Sequence, residues 1–196
     1  MIHPATITVP RDTWTVTPEE TAIYYFAWPD GSMRTETVSW INARFGWSNV
    51  QQIVKRDVCC ARNSAVCAKT PGFVSVLQLP PHITNVIFMD RDVVPTEASD
   101  YFLTLDTDIA GCRYRTQNEF GWAAPWAIHL GLCRIKRKVF ETLPAPWFQF
   151  RYSRTGADTE LCECANFVEA ARARGFTSAH AGHAIHEPSN SSWGSH

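Results

Sequence analysis

The sequence predicts an α/β fold, a layered sandwich around a largely parallel sheet. Three observations carry this expectation. Short runs of β-branched and aromatic residues alternate with segments of helical periodicity through the first half of the chain, and strands become more consecutive later. Proline and glycine clusters separate these segments. Hydrophobic residues make up 45% of the 196 residues, with eight tryptophans, which supplies a packed core for one domain and excludes a disordered chain.

Residues 1–20 are rich in Thr and Pro and read as an irregular lead-in. Residues 23–28 (IYYFAW) form a strand ended by the turn Pro29-Asp30-Gly31. A helix follows over 34–45, with Val38, Ile41 and Phe45 at helical spacing. Residues 50–54 read as a second strand. Residues 61–69 read as a helix with Ala65 and Ala68 inward, and Pro71 and Pro80-Pro81 break the next segment. Residues 85–89 are a strand. Thr96 is an acceptable N-cap for a helix that turns Phe102 and Leu105 inward. Residues 109–114 and 127–133 are further strands, and 138–143 a short helix stopped by Pro144 and Pro146. Over 158–174 the pattern is helical, with Leu161, Ala165, Val168 and Ala171 or Arg172 on one face and Gly175 at the C-terminal end. Residues 176–180 form the last strand. One domain spans 1–188, and 189–196 is a polar, mobile tail.

The net charge of -1 gives no global attraction to nucleic acid or anionic membrane. Seven cysteines include no C-x-x-C pair, so buried reduced thiols are expected in place of a zinc site or a disulfide framework. The N-terminus lacks a signal-peptide pattern, and no apolar stretch reaches the ~20 residues that span a bilayer. The expectation is a soluble cytoplasmic protein without a membrane partner.

The chemistry concentrates in Val86-Ile87-Phe88-Met89-Asp90-Arg91-Asp92-Val93-Val94-Pro95. Here an apolar strand ends in two carboxylates. Alternation on an extended backbone puts Asp90 and Asp92 on the same side. Two charges that close repel by roughly 1 kcal/mol in water and about 4 kcal/mol at an effective dielectric of 20. A hard divalent cation, Mn²⁺ or Mg²⁺, removes that repulsion and brings phosphate ligands with it. The plainer reading is a solvated strand end.

Two families fit the pattern. Haloacid-dehalogenase-like, Mg-dependent phosphatases carry an apolar-D-x-D motif with the first Asp as nucleophile, although there it lies near the N-terminus. A wider set of motifs resembles GT-A-fold glycosyltransferases, close to glycosyltransferase family 2 and its short phage and environmental forms. The resemblance runs from about Ile23 to His183 and keeps the family's order: the strand, Pro loop and helix after Ile23; Cys60-Ala61-Arg62-Asn63; Val86 to Pro95 with its Asp90-Arg91-Asp92; Gly131 to Glu141; Pro146-Trp147-Phe148; Gly156-Ala157-Asp158-Thr159-Glu160-Leu161-Cys162; and Gly182-His183. The family's Glu-Asp pair is Ala157-Asp158 here, and Arg91 stands in the middle of D-x-D.

The resemblance implies a three-layer GT-A sandwich with a mainly parallel, mixed central sheet. It implies a metal-dependent, inverting hexosyltransferase that moves a sugar from a nucleoside-diphosphate donor, UDP-linked by preference, to a hydroxyl. A hydroxymethylated base in phage-type DNA is one acceptor of that kind, and a non-catalytic nucleotide-binding module is a further alternative. By resemblance Asp90, Asp92 and His183 hold the metal. Pro29, Asp30, Arg34, Arg62, Asn63, Asp90 and Arg91 face the nucleotide. Asp158, with Glu160 as a second carboxylate, takes the acceptor proton, and Trp122, Trp126 and Trp147 line the acceptor side. Each has a plainer role: helix-terminal charge for Asp158, a cap or salt bridge for Arg62 and Asn63, core filling for the tryptophans, and a surface position for His183. The run Arg134-Ile135-Lys136-Arg137-Lys138 is a solvated strand end and helix start, or a contact for an acidic acceptor.

Overall fold

The structure is a computed structural model that describes residues 9–27, 30–55, 57–115, 128–156 and 158–186. Pro29, Trp122, Trp126 and the segment 189–196 lie outside the described residues.

The chain forms an α/β protein with a seven-stranded mixed sheet flanked by helices. Its strands are β1 (Thr21–Ala27), β2 (Val50–Val54), β3 (Asn85–Asp90), β4 (Val93–Pro95), β5 (Ile109–Arg115), β6 (Leu132–Lys136) and β9 (Ser178–His186), in the order β2-β1-β3-β6-β5-β9-β4. β1 pairs in parallel with β2 and β3, and β5 with β9. The β3–β6, β5–β6 and β4–β9 pairings are antiparallel. A separate two-stranded hairpin joins β7 (Arg151–Tyr152) to β8 (Thr159–Leu161).

Alternation along the central strands builds two cores. Tyr24, Phe26, Val86 and Phe88 face one side, where they meet α2 (Val58–Cys67), α3 (Arg137–Thr142) and α4 (Glu163–Ala173) through Ala65, Phe140, Phe167 and Val168. Ile23, Tyr25, Ile87 and Met89 face the other, against Trp40 and Ile41 of α1 (Thr35–Arg44) and Phe102 and Leu103 of the 3-10 helix Glu97–Thr104. β1 is buried along its whole length because it is covered on both faces, which is why it reads as a continuous apolar run.

Five expectations change. The helix expected from residue 158 begins at Glu163. Residues Thr159–Leu161 pair instead with β7, and Cys162 is extended as the N-cap. The strand expected over 127–133 begins at Leu132, and the last strand continues to His186. The segment after Thr96 winds as a 3-10 helix, closed by a reciprocal Thr96–Ser99 capping box, and buries Leu103 beside Phe102. Of the seven free thiols, Cys112, Cys133 and Cys164 are buried, but Cys60 and Cys67 are exposed.

The basic run at residues 134–138 is largely neutralised within the fold. Arg134 is fully buried and donates to the carbonyls of Leu105 and Thr107, while Lys136 and Lys138 pair with Asp106 and Asp108. No helix among the described residues is long and apolar enough to cross a membrane.

Candidate functional site

Parallel pairing sets the C-terminal ends of β1, β2 and β3 along one edge of the sheet, the edge at which ligands bind in open α/β folds. Three post-strand segments converge there. Asp30 and Arg34 follow β1, α2 follows β2, and Asp90-Arg91-Asp92 follow β3. Direct contacts tie them together: Arg34 Nε donates to the Arg91 carbonyl at 3.2 Å, and Arg62 Nη2 lies 2.7 Å from Asp90 Oδ2.

Arg62 is the centre of the site. It stands mid-way along α2, 2% exposed, with its other nitrogen, Nη1, on Glu163 and 3.2 Å from Cys164 Sγ. Burial penalises its charge, but Asp90, Cys164 and Glu163 outweigh that and hold the guanidinium protonated. Asp90 is pushed up from the usual carboxylate range, first by burial, with Arg62 opposing and Asp92 adding repulsion. Its second oxygen, Oδ1, is buried and has no hydrogen-bond partner among the described residues. An acceptor left in that state is costly unless something positive meets it.

Asp92 faces the last strand. Its Oδ2 is 3.3 Å from His186 Nε2. Burial raises the Asp92 carboxyl, yet the hydrogen bond and charge of His186 outweigh it and leave it below its ordinary value, while the same contact raises His186. The imidazole at Asp92 is therefore His186. His183 lies three residues earlier on β9, and alternation sends its side chain from the opposite face. The His183 backbone carbonyl accepts from the hydroxyls of Thr96 and Ser99.

Tyr114 of β5 completes the floor. Its ring stacks between His129 (5.1 Å between centroids) and His186 (5.3 Å). Its hydroxyl is buried without a hydrogen-bond partner among the described residues, and burial raises its pKa. Gly131 permits this crowding: a Cβ there would meet the Tyr114 hydroxyl and come within 2.8 Å of Asp90 Oδ2.

The other expected residues fall into three groups. Arg91 is 8% exposed at the strand end, and Asp30 is exposed, accepting from the Ser32 N–H, which lowers its pKa. Asn63 and Trp147 act on packing. Asn63 Oδ1 accepts from the backbone N–H groups of Trp147 and Phe148, its amide donates to the carbonyls of Cys59 and Phe148, and Trp147 Nε1 donates to the carbonyls of Phe140 and Leu143. Asp158 and Glu160 are exposed on the β7–β8 hairpin, with Glu160 3.6 Å from Arg151. That hairpin runs through Cys162 directly into Glu163, and so connects to Asp90 through Arg62.

Sequence reasoning missed Glu163, Tyr114, His129 and the pairing of His186. Only His186 left a signal, as a histidine three residues after His183, a spacing that puts the two on opposite faces of a strand.

No protein-family model matches the chain, and no curated protein sequence matches it. Among solved structures the chain is similar to A197 from STIV, whose crystal structure aligns with a TM-score of 0.52 at 16% identity, over 85% of this chain and 82% of that one. At that identity the likeness is one of fold.

Proposed function

We propose that this chain is a metal-dependent glycosyltransferase that moves a sugar from a nucleoside-diphosphate donor, UDP-linked by preference, to an acceptor hydroxyl. The observation that carries the reading is the end of β3, where Asp90 holds a buried oxygen without a hydrogen-bond partner among the described residues, one residue from Asp92, with an imidazole on Asp92. Two carboxylates and an imidazole that gives up its proton on binding suit a hard-to-borderline divalent cation. The residues that would hold it are Asp90 and Asp92, and we assign the imidazole to His186 because it is the one that reaches Asp92. Bound there, a divalent cation would neutralise charge developing on a departing diphosphate.

The chain's own groups supply the rest. Arg62 fixes Asp90 and keeps a positive charge beneath the strand end. Arg34 brings a guanidinium group to the same edge, where its Nε meets the Arg91 carbonyl, and a guanidinium fits phosphate oxygens. Asp158 and Glu160 are the carboxylates available to take the acceptor proton, exposed on a hairpin that leads into the site. Two of the segments that resemble the family in sequence meet directly, since Arg62 of the first pairs with Asp90 of the second, and Asn63 binds the backbone of a third at Trp147 and Phe148.

Incubation of the protein with a panel of nucleoside-diphosphate sugars and Mn²⁺, read as release of free nucleoside diphosphate, tests the proposal. UDP release that stops on addition of a chelator is the expected result. Inertness towards every donor, together with turnover of a generic phosphomonoester, would favour the phosphatase chemistry instead.

A further inference from the structure

Cys162 and Cys164 flank Glu163 at the start of α4, and the two sulfurs and a Glu163 carboxylate oxygen all lie within 4.8 Å of one another. Two thiols and a carboxylate invite comparison with a soft-metal site. The Arg62 guanidinium argues against a cation there, since it already occupies Glu163 and Cys164 Sγ. The arrangement fits thiol chemistry better.

The two sulfurs have different environments. Cys162 is the N-cap of an 11-residue helix and is partly exposed, so it sits at the positive end of the helix dipole. Cys164 is buried, and its single proton has both the Cys162 sulfur and Glu163 Oε1, at 3.2 Å, within reach. The hydrogen bond from Cys164 and the N–H groups of Ala165 and Cys164 hold the Cys162 thiol down at about 6, against the effects of burial and Glu163, whereas Cys164 is pushed well up. Cys59 marks the contrast: burial and the charge of Glu163 raise it to about 11.

We propose that Cys162 and Cys164 form a peroxide-reactive thiol pair in which Cys162 is the attacking sulfur and Cys164 the resolving one. The Cys162 thiolate attacks one oxygen of hydrogen peroxide, breaking the O–O bond. It becomes a sulfenic acid, and the departing hydroxide takes a proton to leave as water. The Cys164 sulfur then attacks the sulfenic sulfur and expels its oxygen as a second water. Two thiols and one peroxide give one disulfide and two waters, so peroxide is the only oxidant required. This assignment does not depend on the glycosyltransferase reading.

Peroxide treatment of the reduced full chain, followed by alkylation and peptide mapping, tests it. The peptide spanning both residues should lose two hydrogens and carry no alkyl group. In C164S, dimedone should capture a sulfenic acid on Cys162. The inference fails if both residues remain alkylatable under peroxide that has oxidised the exposed Cys60 and Cys67, or if C164S yields no adduct on Cys162. The wild-type map decides the question by itself if C164S does not fold.

Discussion

Arg62 Nη2 lies 2.7 Å from Asp90 Oδ2 while Nη1 of the same side chain meets Glu163. One buried cation thus joins the end of β3 to the start of α4, 73 residues apart in the chain.

That arrangement makes Arg62 the residue whose loss is felt most. Arg62→Met leaves Asp90 and Glu163 partly buried without their counter-charge. Breaking a buried pair in this way costs about 3–5 kcal/mol. Urea unfolding of the variant should show a loss of that size; a loss below about 1 kcal/mol would match a solvated pair instead.

Gly131 tests the crowding at Asp90. A methyl group in Gly131→Ala must displace the Tyr114 hydroxyl or the Asp90 carboxylate. Overpacking of this kind costs about 1–3 kcal/mol. Thermal unfolding should register it, and any ligand that the strand end binds should bind more weakly.

Asn63 makes a different prediction. Its side chain satisfies the N–H groups of both Trp147 and Phe148. Asn63→Ala strands those donors, at about 1–3 kcal/mol for each group left buried without a partner. The loss should appear in chemical unfolding, together with faster amide exchange at Trp147 and Phe148.

Acid sensitivity should include a contribution from Asp108, far from the site in role. Burial raises its carboxyl, but hydrogen bonds from Lys138 and Thr177 prevail and bring it down to about 2. A depressed carboxyl stabilises the fold above its unfolded value, 3.8, and that contribution is lost as pH falls through about 2. Asp108→Asn should therefore be less stable than the parent at pH 7. The gap between the two urea midpoints should close between pH 4 and pH 2.

Much of the fold was legible because local pattern and tertiary environment agree. The continuous apolar run of β1 and the apolar approach to Asp90 are what a strand covered on both faces needs. The helical stripe after residue 158 misled because Leu161 and Ala165 keep the spacing of four across a strand-to-helix junction. The hairpin pairing of Thr159–Leu161 with β7 is a long-range fact that local periodicity does not carry. The site was legible where it lies on one segment, as with Asp90 and Asp92. It was hidden where β9 and α4 arrive from far along the chain: His186 takes the place at Asp92, and Glu163 shares Arg62, because the pairing of β4 with β9 and the packing of α4 on α2 bring them there. The aromatic and amide residues that resembled contacts for substrate, Trp147 and Asn63, have their polar atoms engaged with backbone instead.

The measurement that bears most directly on the central claim is the thermal stability of the parent protein and of Asp92→Ala with UDP, with Mn²⁺, and with both. Asp92 sits in a partly exposed contact with His186, so its loss should change basal stability by no more than about 1 kcal/mol. The account predicts a rise in melting temperature that needs UDP and Mn²⁺ together and disappears in Asp92→Ala. A shift that persists undiminished in Asp92→Ala, or its absence from the parent protein, would contradict it.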